Sequence, residues 1–212
     1  MHIVSVNAGL PREVARGNEV VRTGIFKQPI DGRVVLRRLN LEGDAQADPS
    51  VHGGPDKAVY AYPIEHYAYW REQLPGRELS LGIFGENLTL AGLTEDAAHI
   101  GDELRIGTAR LVITQPRLPC FKLGIRFGDS AMVPRFLASN RPGFYLAVLE
   151  EGEIGAGDPV ERVHEDENRL TVTELFLLMV HDKTNTELMR RALRVRHLAG
   201  ILRKKFESRL RS

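Results

Sequence analysis

A single cysteine, Cys120, lies in the run Gln115-Pro-Arg-Leu-Pro-Cys-Phe-Lys-Leu123, with Arg117 before it and Lys122 after it. Nearby cations lower a thiol pKa, and the thiolate is the form that acts as a nucleophile or binds a soft metal. Pro116 and Pro119 stiffen the approach to it. A lone cysteine is also commonly a small buried hydrophobe, so the flanking charges favour a chemical role without excluding packing. One cysteine cannot close an internal disulfide. The seven histidines show no close ligand-spaced pair and there is no second cysteine, which argues against zinc. No Gly-x-x-x-x-Gly-Lys-Ser/Thr phosphate loop occurs either.

Three further stretches crowd polar residues among glycines. Gly43-Asp-Ala-Gln-Ala-Asp48 precedes His52-Gly-Gly-Pro-Asp-Lys57, and glycines there let backbone amides approach an anion closely. The same residues also suit an ordinary polar turn with a solvated His52. Phe84-Gly-Glu-Asn-Leu88 sets Glu86 and Asn87 behind a glycine, where a simple turn is the plainer reading. Arg22-Thr-Gly-Ile-Phe-Lys27 adds two cations around another glycine, a weak signal by itself.

The elements that must carry these residues are mostly strands up to about Val163. Short apolar or alternating runs separated by Gly, Pro and Asp read as strands at 2–7, 34–36, 103–106 and 109–114. The last two flank Gly107-Thr108, which suits a type II′ hairpin. Pro63 to Leu74 predicts a helix with Pro in its first turn and Tyr67, Trp70 and Leu74 on one face. Ser130 to Ser139 predicts a second helix, limited by Pro134 to a start or a kink. After the polar link His164-Glu-Asp-Glu-Asn168 strand signals stop. Thr171-x-x-Glu174 and Thr184-x-x-Glu187 are capping-box patterns, and Leu198, Ile201, Leu202, Phe206 and Leu210 form a third helical stripe. Such a small three-helix unit needs a surface to dock on.

Composition bounds the partners. Lys and Arg total 29 against 28 Asp and Glu, so no global field favours nucleic acid or an anionic membrane. The longest apolar run, Leu175 to Val180, falls far short of the roughly 20 residues of a membrane helix. With a lone thiol and no secretory pattern at the start, the expected compartment is the cytoplasm. The tail departs from neutrality: residues 183–212 hold ten basic and two acidic side chains, either a solvated face or a dock for an acidic partner. A homodimer is the commonest assembly open to such a chain.

Read in order, Gly43-Asp44-x-Gln46-x-Asp48, His52-Gly-Gly-Pro-Asp-Lys57, Phe84-Gly-Glu-Asn-Leu88 and Pro116-Arg-x-Pro-Cys-x-Lys-Leu123 resemble the MOSC family. The family is named for the C-terminal domain of molybdenum-cofactor sulfurases, and the resemblance is to its YiiM-like bacterial branch. It implies a mainly β fold with peripheral helices: a barrel-like MOSC domain over residues 1–163, then a small three-helix domain over 164–212. It also implies an oxidoreductase that reduces N-hydroxylated small molecules, such as hydroxylaminopurines and amidoximes, with electrons from a separate flavoprotein reductase. Cys120 would ligate the molybdenum of a molybdopterin cofactor or, alternatively, carry sulfur as a persulfide. On this reading Arg22, Lys27, Lys57, Arg117 and Lys122 offset the negative charge of thiolate, dithiolene and phosphate. Gly53, Gly54 and Asn87 would close around the cofactor. His52, with an ordinary pKa near neutrality, is the expected proton donor. A non-enzymatic module binding an anionic ligand would use the same loops.

Overall fold

Apolar residues recurring in short alternating runs give twelve strands among residues 1–46 and 53–211, the part that the computed structural model describes. They are β1 (His2–Ala8), β2 (Arg12–Arg16), β3 (Glu19–Thr23), β4 (Gln28–Pro29), β5 (Arg33–Leu36), β6 (Val59–Pro63), β7 (Leu88–Ala91), β8 (Glu103–Ile106), β9 (Ala109–Pro116), β10 (Phe144–Glu150), β11 (Gly152–Gly155) and β12 (Val160–His164). Eight form one sheet in the order β12-β8-β9-β10-β6-β7-β1-β4, antiparallel except for the β6–β7 pair. Met1 and Ile3 exchange backbone hydrogen bonds with Gly157, Asp158 and Val160, at the entry to β12. The two distant parts of the sheet are thereby joined, which gives the expected barrel-like closure and removes exposed edge.

The hairpin is as expected. Ile106 faces Ala109 across Gly107-Thr108, and in that turn only Gly107 takes a positive φ, +55°. The first helix, α1 (Glu65–Gln73), differs in its start: Pro63 is the last residue of β6 instead of part of the first helical turn. A strand can end on proline because no further ladder N–H is then required. The second expected helix is α3 (Met132–Ala138), with Pro134 in its opening turn.

Between β9 and α3 lies a helix the sequence did not suggest, α2 (Phe121–Phe127), which starts immediately after Cys120. Gly124 and its short length hide it from any periodicity argument. Burial holds it, because Leu123 and Phe127 enter an aromatic cluster with Tyr62, Tyr67, Trp70, Phe84 and Phe136. The Trp70 and Phe136 rings stack there at 5.7 Å, and such pairs add about 0.5–1.5 kcal/mol beyond area burial.

Three helices make up the tail: α4 (Val172–Val180), α5 (Thr186–Arg194) and α6 (Gly200–Arg211). Thr171 and Glu174 form the complete capping box of α4. At α5 the cap is Asn185, whose side chain accepts from Leu188 N at 2.9 Å, and Thr184 is not used. Asn is at least as good an N-cap as Thr, so the start shifts by one residue. Leu175, Leu198, Leu202 and Phe206 share one core with Leu111, Ile113 and Val148 of the sheet, so the tail docks on the strand domain. Ile201 departs from the predicted stripe and is 65% exposed.

Candidate functional site

The fold brings together five connecting segments: the loop after β3, the loop after β5, the turn before β6, the loop before β7 and the exit of β9. Their side chains line a cavity of about 120 Å³ that includes Lys27, Asp44, Gln46, Lys57, Tyr60, Asn87, Arg117, Cys120, Lys122 and Tyr145.

Asp44 organises one wall. Lys27 Nζ donates to its two carboxylate oxygens at 2.5 and 2.6 Å, Asn87 Nδ2 donates at 2.8 Å and Gly9 N at 3.2 Å. Burial pushes the Lys27 pKa down and the carboxylate beside it pulls it back up. The Lys27 charge is therefore committed to a buried pair. Asn87 also accepts from Tyr60 N at 3.1 Å, which ties β6 to the same wall. Gln46 Oε1 accepts from Gly54 N at 3.1 Å while its Nε2 donates to Leu39 O at 2.9 Å, so this side chain bridges the two motifs around residues 43–57.

Glu86 is fully buried and does not line the cavity. Its carboxylate accepts from the Tyr67 hydroxyl, from Gly82 N at 2.9 Å, from Phe84 N at 3.1 Å and from Thr89 Oγ1 at 3.2 Å. Burial raises its pKa against these bonds. Glu86 thus fixes the turn that presents Gly85 and Asn87. Gly85 sits at φ +84°, and a Cβ there would meet Ile25 Cγ1 at 2.8 Å, so only glycine fits.

The opposite wall carries the charge. Arg117 is only 5% exposed, with its guanidinium 4.9 Å from the Tyr60 ring centroid and 5.0 Å from that of Phe136. Burial opposes its charge, but the neighbouring Tyr60, Tyr145 and Cys120 groups outweigh that and hold its pKa above the usual value. Its Nη1 is buried without a hydrogen-bond partner among the described residues. A buried donor of a charged group left unmatched is costly, so the position calls for an acceptor that a ligand brings. Cys120 is half-buried and stands as the extended residue that opens α2. Burial pushes the Tyr145 phenol up, with Arg117 pulling the other way. Partial burial lowers the Lys57 pKa.

Of the residues singled out from sequence, Lys27, Lys57, Asn87, Arg117, Cys120 and Lys122 line this cavity. Arg22 does not: it is exposed on β3, paired across the hairpin with Glu13. Gly53 and Gly54 stand beside the cavity without lining it. His52 and Asp48 lie outside the described residues. Tyr60 and Tyr145 escaped sequence reasoning, because an aromatic in an alternating strand carries no sign of which cavity it will face.

Comparison with known proteins adds a family context. A model described as MOSC domain matches residues 48–161, and one described as YiiM-like, 3-alpha helix domain matches residues 170–212. A Bacillus subtilis (strain 168) protein named YflK is 43% identical over 191 residues, 90% of this chain and 86% of that protein. The crystal structure of YiiM from Geobacillus stearothermophilus superposes with a TM-score of 0.83 at 33% identity, covering 99% of this chain and 98% of that one. A Gibberella moniliformis protein named reductase is 34% identical over 161 residues, 74% of this chain but 28% of that protein.

Proposed function

The chain belongs to the MOSC domain family, with a YiiM-like three-helix domain, and from that premise we propose that it holds a molybdenum–pterin cofactor at Cys120 and reduces N-hydroxylated small molecules in the cytoplasm. The observation that carries this reading is the buried Arg117 guanidinium beside Cys120, with Nη1 lacking an acceptor. Lys57 and Lys122 add to it: with Lys27 already neutralised by Asp44, the cavity keeps a positive excess suited to a phosphate or dithiolene. The donor set fits as well. No group of three or more His, Cys, Asp or Glu gathers to hold a metal among the described residues. A single soft thiolate suits a metal that arrives with most of its ligands. The name of the Gibberella relative points the same way, although this chain spans 28% of it.

When bound, the cofactor supplies a soft metal that cycles by two electrons. The chain's own residues supply the rest: Cys120 the protein sulfur ligand, Arg117, Lys57 and Lys122 the anion contacts, and Asp44 with Asn87 a rigid wall. Reduction breaks the N–O bond of R–NHOH, consumes two electrons and two protons, and releases R–NH2 and water. Protons must therefore reach the departing oxygen. Tyr145 and Lys57 line the cavity with Cys120 and carry protons, and His52, which lies outside the described residues, is the third candidate.

The reading is tested by metal and pterin analysis of the full chain made in molybdenum-replete cells. Stoichiometric molybdenum and pterin are expected. Sulfane sulfur on Cys120 without metal would favour a sulfur carrier instead, and neither would leave an anion-binding module.

Electrons would come from an acidic flavoprotein docking on the basic tail. The structure refines which residues to change: Arg203 donates to Leu193 O at 2.7 Å and Val195 O at 2.5 Å, so it caps α5. Lys204 and Arg211 are exposed on α6. Reversing both to Glu should slow turnover with the flavoprotein, an effect that disappears near 1 M salt, where the Debye length is about 3 Å. Turnover with a small chemical reductant should be unchanged. Equal loss with both donors would count against docking.

A further inference from the structure

The β2–β3 hairpin forms a sheet of its own, apart from the large one. A lone two-stranded hairpin is marginal in water, and two arginine–aromatic stacks fasten this one to the body. The Arg12 guanidinium lies 3.6 Å from the Phe26 ring centroid, and that of Arg16 lies 4.6 Å from the centroid of Phe121. Both arginines share a face of β2 with Val14, because alternate side chains of a strand point the same way. The seam between this strand and α2 is a groove of about 580 Å³ lined by Val14, Arg16, Phe121, Ile125, Val133 and Pro134. Phe121 is 42% exposed there. Asp129 also lines the groove, and its carboxylate accepts from Ala131 N at 2.8 Å.

The Arg12 end of this seam gathers positive charge. Arg126 of α2 lies 5.1 Å from the same Phe26 ring, and Arg77 lies 5.0 Å from that of Phe127. Burial pushes the Arg126 pKa down, Arg12 and Arg77 add to that, and Glu86 and Tyr67 oppose it. Glu86 is already held by its own four donors. Among the described residues no ion pair engages Arg12, Arg77 or Arg126. Independently, Arg126 Nε is buried with no hydrogen-bond partner among them. Guanidinium groups keep their charge at any physiological pH, so the three repel one another, and the unmatched buried donor adds its own cost. An anion relieves both. Stacking occupies the face of a guanidinium and leaves its in-plane N–H groups for an acceptor.

We propose that this seam binds a nucleotide-sized diphosphate, with Arg12, Arg77 and Arg126 on its phosphates and its flat base in the groove beside Phe121. The site is separate from the cavity at Cys120 and does not depend on the cofactor reading. The charge sets the ligand class: a phosphate monoester carries about −1.5 to −2 at pH 7, so three guanidinium groups are better matched by a diphosphate. The apolar groove accounts for the rest of the molecule, and its volume falls within the roughly 300–1,000 Å³ of small-molecule pockets. A ligand so placed bridges the hairpin and α2, the helix that Cys120 opens.

The test is calorimetric titration of the full chain with ADP, adenosine and inorganic phosphate as separate probes. ADP should bind saturably at a single site, inorganic phosphate more weakly by about tenfold or more, and adenosine not measurably. Arg12→Gln, at an exposed strand position, and Arg126→Gln should each weaken ADP binding by about tenfold or more. Phe121→Ala should weaken ADP and leave phosphate unchanged. ADP binding that is absent, or that survives both arginine variants, overturns the proposal. Its loss in Lys57→Gln does so too, by placing ADP in the cofactor cavity. Phosphate as tight as ADP would leave a simple anion site without a base pocket, and polyglutamate bound more tightly than ADP would make the seam a protein dock. Pterin content distinguishes the remaining source of phosphate: Arg126→Gln should match the wild type, and a selective loss of pterin would give the arginines to the cofactor instead. A wild type without molybdenum or pterin would sink the cofactor reading and leave the ADP result standing.

Discussion

Cys120→Ser should lose bound molybdenum and all turnover while folding as well as the wild type. A hydroxyl is a far poorer soft-metal ligand than a thiolate, and no second cysteine exists to replace it. The fold has little reason to suffer. Cys120 is the extended residue opening α2 and makes no side-chain capping bond, whereas Ser is among the preferred residues there. Thermal stability should therefore stay equal or rise by a few tenths of a kcal/mol to about 1 kcal/mol. Metal content, pterin fluorescence after oxidation and a melting curve on one preparation check this. Retained molybdenum with full activity would remove Cys120 from the mechanism, and a collapsed melting curve would make it a packing residue.

The second large effect is on stability and comes from Lys27→Met. This leaves the Asp44 carboxylate buried with only neutral donors, Asn87 Nδ2 and Gly9 N. Removing one member of a buried ion pair typically costs about 3–5 kcal/mol. For a chain of this size that is a fall in Tm on the order of 10 °C. Lys27→Met combined with Asp44→Leu should recover much of the loss, because a well-packed apolar pair needs no charge compensation. Anion binding at the cavity should stay impaired in the double variant, since Asn87 loses the acceptor that orients it. Calorimetry on the single and double variants decides the point: a single variant as stable as the wild type would mean that the pair is not buried in solution.

Asp44 and Lys27 also show where the sequence stopped speaking. Both belonged to conspicuous motifs, and Lys27 read as a free cation for an anionic cofactor. Its partner is 17 residues away, at a distance set by the loop path and not by spacing. Arg22, five residues earlier, looked equivalent, but strand alternation turned it to solvent on the β2–β3 hairpin. Glu86 read as part of a turn and is one, held by four donors that only the folded turn brings together.

The sequence by itself determined what depends on near neighbours. The hairpin at Gly107 needs one positive φ, the capping box at Thr171 needs a residue three positions on, and four ordered motifs identified a family with its strand-rich domain and helical tail. Only the tertiary structure decided what depends on long-range placement. Arg117, which reads only as a cation beside the thiol, is buried against Tyr60 and Phe136 because the exit of β9 delivers it to the aromatic cluster. Tyr145 faces Cys120 because β10 pairs with β9 in a register that sets it opposite Gln115. Ile201 leaves its helical stripe at the start of α6, where Gly200 N is bonded to Asp56, 144 residues before that glycine. Burial, register and docking are properties of pairs of segments, and no single segment encodes them.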